Sequence, residues 1–239
     1  MEEKELWGIV EGNDKYASLA FPTLIRKVYL WMTLALVITA VSAYGVANSP
    51  SLIMAIYSSK YTFWGLIIAE LALVFGLSGA INRLSLPVAT LMFAVYSVLN
   101  GVMLSSVFIV YSQAIITKVF LITAGTFGVM AFVGYTTKTD LSSMGKIMFM
   151  GLIGLIIATV VNMFMRSPGL DLIISYVGVL VFVGLTAWDT QKIKQLMQQC
   201  PDAGEHAQKL ALLGALTLYL DFINLFLYLL RIFGSKNNN

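Results

Sequence analysis

Seven long apolar runs divide the chain, at Val28–Ala47, Thr62–Ile81, Leu86–Tyr111, Ile115–Tyr135, Ile147–Met165, Leu170–Trp188 and Leu210–Phe233. Each approaches or exceeds the roughly 20 apolar residues that a helix needs to cross the hydrocarbon core of a bilayer. The pattern predicts seven membrane-spanning helices. Ser51–Tyr57 is apolar but too short to span, and reads as an interfacial segment. The polar stretches between runs are mostly short, which leaves a single membrane domain over residues 28–233. A cytoplasmic N-terminal segment, 1–27, precedes it and a polar tail, 234–239, follows. The first 27 residues hold no apolar core, so they are not a cleavable signal peptide. The longest loop, Thr190–Lys209, carries the turn signal Pro201-Asp202-Ala203-Gly204. No helix breaker stands between Gln191 and Gln199, so the sixth helix can run on into this loop.

Composition narrows the class. Of the 239 residues, 59% are apolar and 11% charged. A soluble domain is roughly a quarter charged, and a soluble protein of this length cannot hide so much apolar surface. The lone Cys200 excludes a disulfide scaffold, and with the lone His206 it argues against zinc. A net charge of +3 without a basic cluster argues against nucleic-acid binding. Orientation follows from Lys and Arg, which favour the cytoplasmic face. Ten lie on one side (Lys4, Lys15, Arg26, Lys27, Arg83, Lys138, Lys146, Lys192, Lys194, Lys209) and five on the other (Lys60, Lys118, Arg166, Arg231, Lys236). The N-terminus is therefore expected in the cytoplasm and the C-terminus outside. Cys200 then stays reduced in a cytoplasmic loop.

Ionisable side chains inside a bilayer are costly, so each calls for an explanation. Glu70, Asp189 and Asp221 are the three carboxylates concerned. Asp221 lies 11 residues into the seventh run, about 16 Å along a helix axis. Gly214, Thr217, Asp221, Asn224, Tyr228 and Arg231 step by three and four and so share one face. A lipid-facing surface could not carry that stripe, so the helix is expected to be enclosed, its stripe facing partner helices or a wet cavity. The bland alternative is a polar seam that glues helices together. Asp189 reads as a residue at the end of the sixth span, solvated and paired with Lys192, unless that helix continues and brings it to Asp221. Glu70 stands near the middle of the second span, and its bland reading is a protonated glutamate in a packed bundle. Arg83, at the end of the same helix, either snorkels to the surface or reaches inward to a carboxylate. Trp31, Trp64 and Trp188 read as interfacial aromatics, as does Trp7. Asn100-Gly101 and Asn162 read as helix–helix glue, and Asp140 as a helix N-cap.

Four segments carry a family resemblance. They are Glu70-Leu71-Ala72-Leu73-Val74-Phe75, Gly134-Tyr135-Thr136-Thr137-Lys138-Thr139-Asp140-Leu141, Gly184-Leu185-Thr186-Ala187-Trp188-Asp189-Thr190-Gln191-Lys192-Ile193 and Leu218-Tyr219-Leu220-Asp221-Phe222-Ile223-Asn224-Leu225-Phe226. In this order, from about residue 22 to 233, they resemble the Bax inhibitor family, the transmembrane Bax-inhibitor-motif proteins, in its bacterial YetJ/YccA-like branch. The resemblance implies an all-α, seven-helix membrane fold in which two three-helix layers wrap a central C-terminal helix. It implies a location in the bacterial inner membrane and a pH-sensitive calcium leak. The family's hydrogen-bonded aspartate pair, its pH sensor, matches Asp189 and Asp221. Its acidic residue on the second span matches Glu70, and its arginine matches Arg83 less closely.

Chemistry permits that role. Calcium prefers oxygen ligands, and a path of Glu70, Asp189, Asp221 and Asn224 would bind it weakly, as conduction requires. No cofactor is called for, calcium being the transported ion. Two adjacent carboxyls in a poorly solvated site do not readily both ionise, so the pair would hold one proton between them. Such a pair could latch the sixth span to the seventh and bias a two-state packing. A second hypothesis is a protein that binds and restrains a membrane protease, which needs no ion path. A third is an intramembrane aspartyl protease, with one Asp as acid and one as base. The absence of a Gly-x-Gly-Asp motif argues against it, and the chain is not expected to be an enzyme.

Overall fold

The computed structural model describes the backbone from Glu2 and the side chains from Ala20, both as far as Gly234. The described residues form eight helices and no strand. They are α1 (Glu2–Ala47), α2 (Pro50–Tyr57), α3 (Lys60–Ala80), α4 (Leu86–Val110), α5 (Gln113–Thr136), α6 (Ser142–Met165), α7 (Pro168–Gln198) and α8 (Glu205–Phe233). All but α2 are long and apolar enough to cross a membrane, α1 through Ala20–Ala47. The chain is an all-α integral membrane protein, and the short Ser51–Tyr57 run is the short helix α2. The surface placement of Trp7 and the polar nature of the tail 235–239 lie outside the described side chains.

Hydropathy set the membrane part of each helix and missed the polar turns beyond it. α6 starts at Ser142 rather than Ile147, α7 runs to Gln198 rather than Trp188, and α8 begins at Glu205 rather than Leu210. The reason is that backbone hydrogen bonding does not stop at the lipid boundary. Gln191–Gln198 contains no Gly or Pro to end the helix. Asp140 does not occupy the N-cap of α6, which is Leu141. It stands one residue earlier, and its Oδ1 accepts the Ser142 N–H at 2.9 Å. Hydrogen bonds from the Ser142 side chain and backbone hold the Asp140 carboxyl below the usual range.

Which helix face is buried could not be read from hydrophobicity, because lipid is as apolar as a side chain. On α1 the buried positions are Ala20, Leu24, Val28, Met32, Ala35, Thr39, Ala43 and Val46. They step by three and four along one face, while Leu30, Leu34, Val37 and Val41 face outward. α5 repeats this with Ile116, Val119, Thr123, Phe127, Ala131 and Gly134 inward. The inner faces differ from the outer ones by small and hydroxyl residues, as close packing in a membrane needs. α8 is the most enclosed, with 67% of its most apolar window buried against 6% for α3. That matches the enclosure its polar stripe predicted.

The chain divides into two compact units, residues 1–103 with 192–216, and residues 104–191 with 217–239. In the first, the start of α8 is stitched to α1 and to the α3–α4 turn. Lys27 Nζ donates to Gln208 Oε1 at 2.7 Å, Lys209 Nζ to Leu84 O at 3.0 Å, and Leu86 N to Glu205 Oε1 at 3.1 Å. Gly101 of α4 lies against the backbone of Thr39, so packing is its role. In the second unit, Phe120 and Phe127 of α5 meet the Phe222 ring of α8 edge-on, at 5.4 and 5.5 Å. Asn162 is not glue between helices. Its Oδ1 accepts the Ser167 N–H at 3.0 Å, just past Arg166, which closes α6 in the left-handed region (φ 51).

Candidate functional site

The second unit holds a cluster of buried polar side chains on α7. Thr186, Asp189, Thr190 and Gln191 are all buried there. Because α7 continues nine residues past Asp189, that residue is not a solvated helix end. Its backbone is internal to the helix, and its carboxyl shares the inward face with Phe182, Leu185 and Ile193, all buried. Asp221 of α8 is buried between Leu218 and Leu225, one turn to either side, and is 5% exposed against 8% for Asp189. The two carboxyls lie within electrostatic reach of each other. Asp221 Oδ2 has no solvent contact and no hydrogen-bond partner, and Thr190 Oγ1 is in the same state. Such atoms are uncommon in folded proteins and each asks for a reason.

The position of Asp189 is fixed by three contacts that sequence reasoning missed. Gly134 of α5 lies against the carbonyl of Ala187, whose carbon would be 2.8 Å from an added Cβ. Gly145 of α6 lies flat against the Trp188 ring, leaving no space for a Cβ. Trp188 is therefore a half-buried packing residue in the interior of α7. Gln191 closes the arrangement. Its Nε2 donates to Thr139 O and its Oε1 accepts from Leu141 N, both at 2.8 Å. The loop between α5 and α6 is thus clasped to the helix two residues past Asp189. A signal was present in the sequence, since Gly134, Thr139 and Leu141 fall in one quoted segment and Ala187, Trp188 and Gln191 in another. Nothing in the sequence said that the two segments touch.

Other predicted positions distribute as follows. Asn224 is half-buried, and its Nδ2 donates to Leu220 O at 2.8 Å, so its donor end is tied to its own helix. Tyr228, read as part of a polar stripe, stacks its ring on Phe182 at 5.8 Å. In the first unit, Glu70 is half-buried on α3, and its Oε1 has neither solvent nor a hydrogen-bond partner. The buried Tyr96 of α4 is its electrostatic neighbour. Arg83 is exposed in the turn after α3. Among the described residues no three or more His, Cys, Asp or Glu converge as a metal cage.

Cys200, just past α7, is buried, with its Sγ 3.4 Å from Leu196 O. Burial, aided by the Asp202 carboxylate, pushes its thiol up from the ordinary value. The thiolate is the reactive form, so a water-soluble maleimide at neutral pH should label Cys200 more slowly than a peptide thiol. The labelling rate should go on rising with pH beyond the point where the peptide rate levels off. Equal rates for the two would contradict both the burial and the shift.

The chain matches the family model described as "Inhibitor of apoptosis-promoting Bax1" over residues 22–238. It is 50% identical to "Inner membrane protein YbhL" of Escherichia coli (strain K12) over 215 residues, which covers 90% of this chain and 92% of that protein. It is 46% identical over 227 residues to an uncharacterized protein of Borreliella burgdorferi, covering 95% and 98%. It is 42% identical over 215 residues to one of Deinococcus radiodurans, covering 90% and 91%.

Proposed function

Because the chain belongs to the Bax inhibitor family of membrane proteins, we propose that it is a pH-sensitive calcium leak of the bacterial inner membrane, gated by Asp189 and Asp221. The observation that carries this reading is the buried Asp221 oxygen that meets no hydrogen-bond donor beside a second buried carboxyl. Structural glue has no use for an unsatisfied acceptor, since leaving one buried costs about 1–3 kcal/mol. A pair that gains and loses a proton does, because its hydrogen bonding differs between states. With one proton the pair bridges α7 to α8. With none, two negative charges repel in a poorly solvated site and offer oxygen ligands to a divalent cation. Calcium is the permeating substrate here. Glu70, in the other unit, is a candidate by its match to the family's acidic residue on the second span, and Asn224 lies one turn from Asp221 on α8. The path asks for weak binding only.

The test is calcium entry into proteoliposomes from about pH 5 to about pH 8, for the native protein and for Asp221→Asn. The expected result is a pH-dependent flux whose profile flattens or moves in the variant. No flux above empty liposomes would overturn the leak and favour the binding of a membrane protease, for which the pair is dispensable. An unchanged profile in Asp221→Asn would remove the pair from the mechanism.

A further inference from the structure

Asp171 and Arg231 sit at the other end of the α7–α8 seam from the aspartate pair. Asp171 is in the first turn of α7, and Arg231 is in the last turn of α8. Arg231 is ten residues past Asp221, about 15 Å along the helix. In the orientation expected from the charge count this end faces outward. The guanidinium stands 3.6 Å from Asp171 Oδ1, with both side chains about half exposed, 41% and 52%. It also lies over the Tyr228 ring, 5.5 Å from the centroid. That ring stacks on Phe182 and covers Gly178, where an added Cβ would be 2.7 Å away. An aromatic pair therefore separates the exposed ion pair from the buried acids along the seam.

We propose that Arg231 is a tethered cation that occupies Asp171 and so controls access of divalent cations to the outer end of the path, an inference that rests on the leak reading above. Three observations favour a latch built to open. The contact is single, long and exposed, and such pairs are weak. Each charge is held favourably by its own helix, the anion at an N-terminus and the cation at a C-terminus, so neither is stranded when they part. Arg231 also lines a cavity of about 180 Å³, with Tyr111, Leu227 and Leu230, which gives its side chain room to swing away. A divalent cation competes for Asp171 with twice the charge of the guanidinium. The stacked Tyr228 loses its cation–π partner when Arg231 leaves.

The experiment uses terbium(III), a luminescent substitute for calcium excited through nearby tyrosine, on the detergent-solubilised full chain, together with calcium flux in proteoliposomes. Arg231→Gln should bind terbium about two- to fivefold more tightly than the native protein, the range an exposed ion pair spans. The gain should vanish in Asp171→Asn/Arg231→Gln, and calcium flux should rise by a similar factor in Arg231→Gln alone. If native liposomes carry no flux but the terbium pattern holds, the leak reading falls while cation capture at Asp171 stands. If terbium affinity is the same in all three proteins, or the double variant keeps the gain, the latch is overturned. A terbium gain without a change in a measurable native flux would place Asp171 off the path, and would also overturn it.

Discussion

Replacing Gly134 by alanine is expected to destabilise the protein by about 1–3 kcal/mol, the range for forcing an extra methyl into a closed contact. An added Cβ would overlap the carbonyl of Ala187, which is backbone in the interior of α7 and cannot rotate aside. The helices must then separate, and the segment that moves carries Asp189 two residues on. Gly128→Ala is the matched control. It lies on the same helix α5, its added Cβ meets nothing within 4 Å, and helix propensity alone should make it neutral or stabilising by up to about 1 kcal/mol. Reversible unfolding of both variants in mixed detergent and dodecyl sulfate reads the difference. Equal stabilities would mean that α5 and α7 are not in close contact at Gly134. Because the clash is at the clasp, Gly134→Ala should also alter the pH profile of any flux, which Gly128→Ala should leave as it is.

The same glycine shows how far the sequence was legible. Seven spans, the failure of Ser51–Tyr57 to make an eighth, and the enclosure of α8 all followed from run lengths and from a polar stripe at helical spacing. These depend on local pattern, and local pattern is printed in order along the chain. The continuation of α7 past Asp189 was legible as a possibility, because no breaker stands before Cys200. Its consequence was legible only as an alternative, since the same residues also allowed Asp189 to be a solvated helix end. Contacts between helices were the hardest to read. In water, the buried face announces itself as the apolar one, whereas in lipid both faces are apolar and only small or polar residues mark the inside. Trp188 is an instance. An aromatic near the end of an apolar run suggests an interface, and only Gly145 across from it reveals packing. Arg231 was counted as one of five outer charges, and nothing in its own helix pointed to Asp171, 60 residues earlier.

Removing both acids of the pair should cost less than the sum of removing each. Asp189→Ala leaves Asp221 buried with one oxygen already unpartnered, and Asp221→Ala takes from the buried Asp189 the carboxyl within its electrostatic reach. A buried polar group stripped of its partner costs about 1–3 kcal/mol. In the double variant no stranded carboxyl remains, and what is lost is the mutual interaction and a little volume. The double change should therefore be about 2 kcal/mol less destabilising than the two single changes added together, a coupling typical of residues in contact. Stability and pH response then separate cleanly. The double variant should be folded at every pH where the native protein is, yet any calcium flux it carries should not vary with pH, because no group remains in the pair to take up or release a proton. Additive single effects, within about 0.5 kcal/mol, would mean that Asp189 and Asp221 are independent. In that case the proton shared between α7 and α8 could not be the gate, and the buried acids would be two separate polar residues that happen to lie on facing helices.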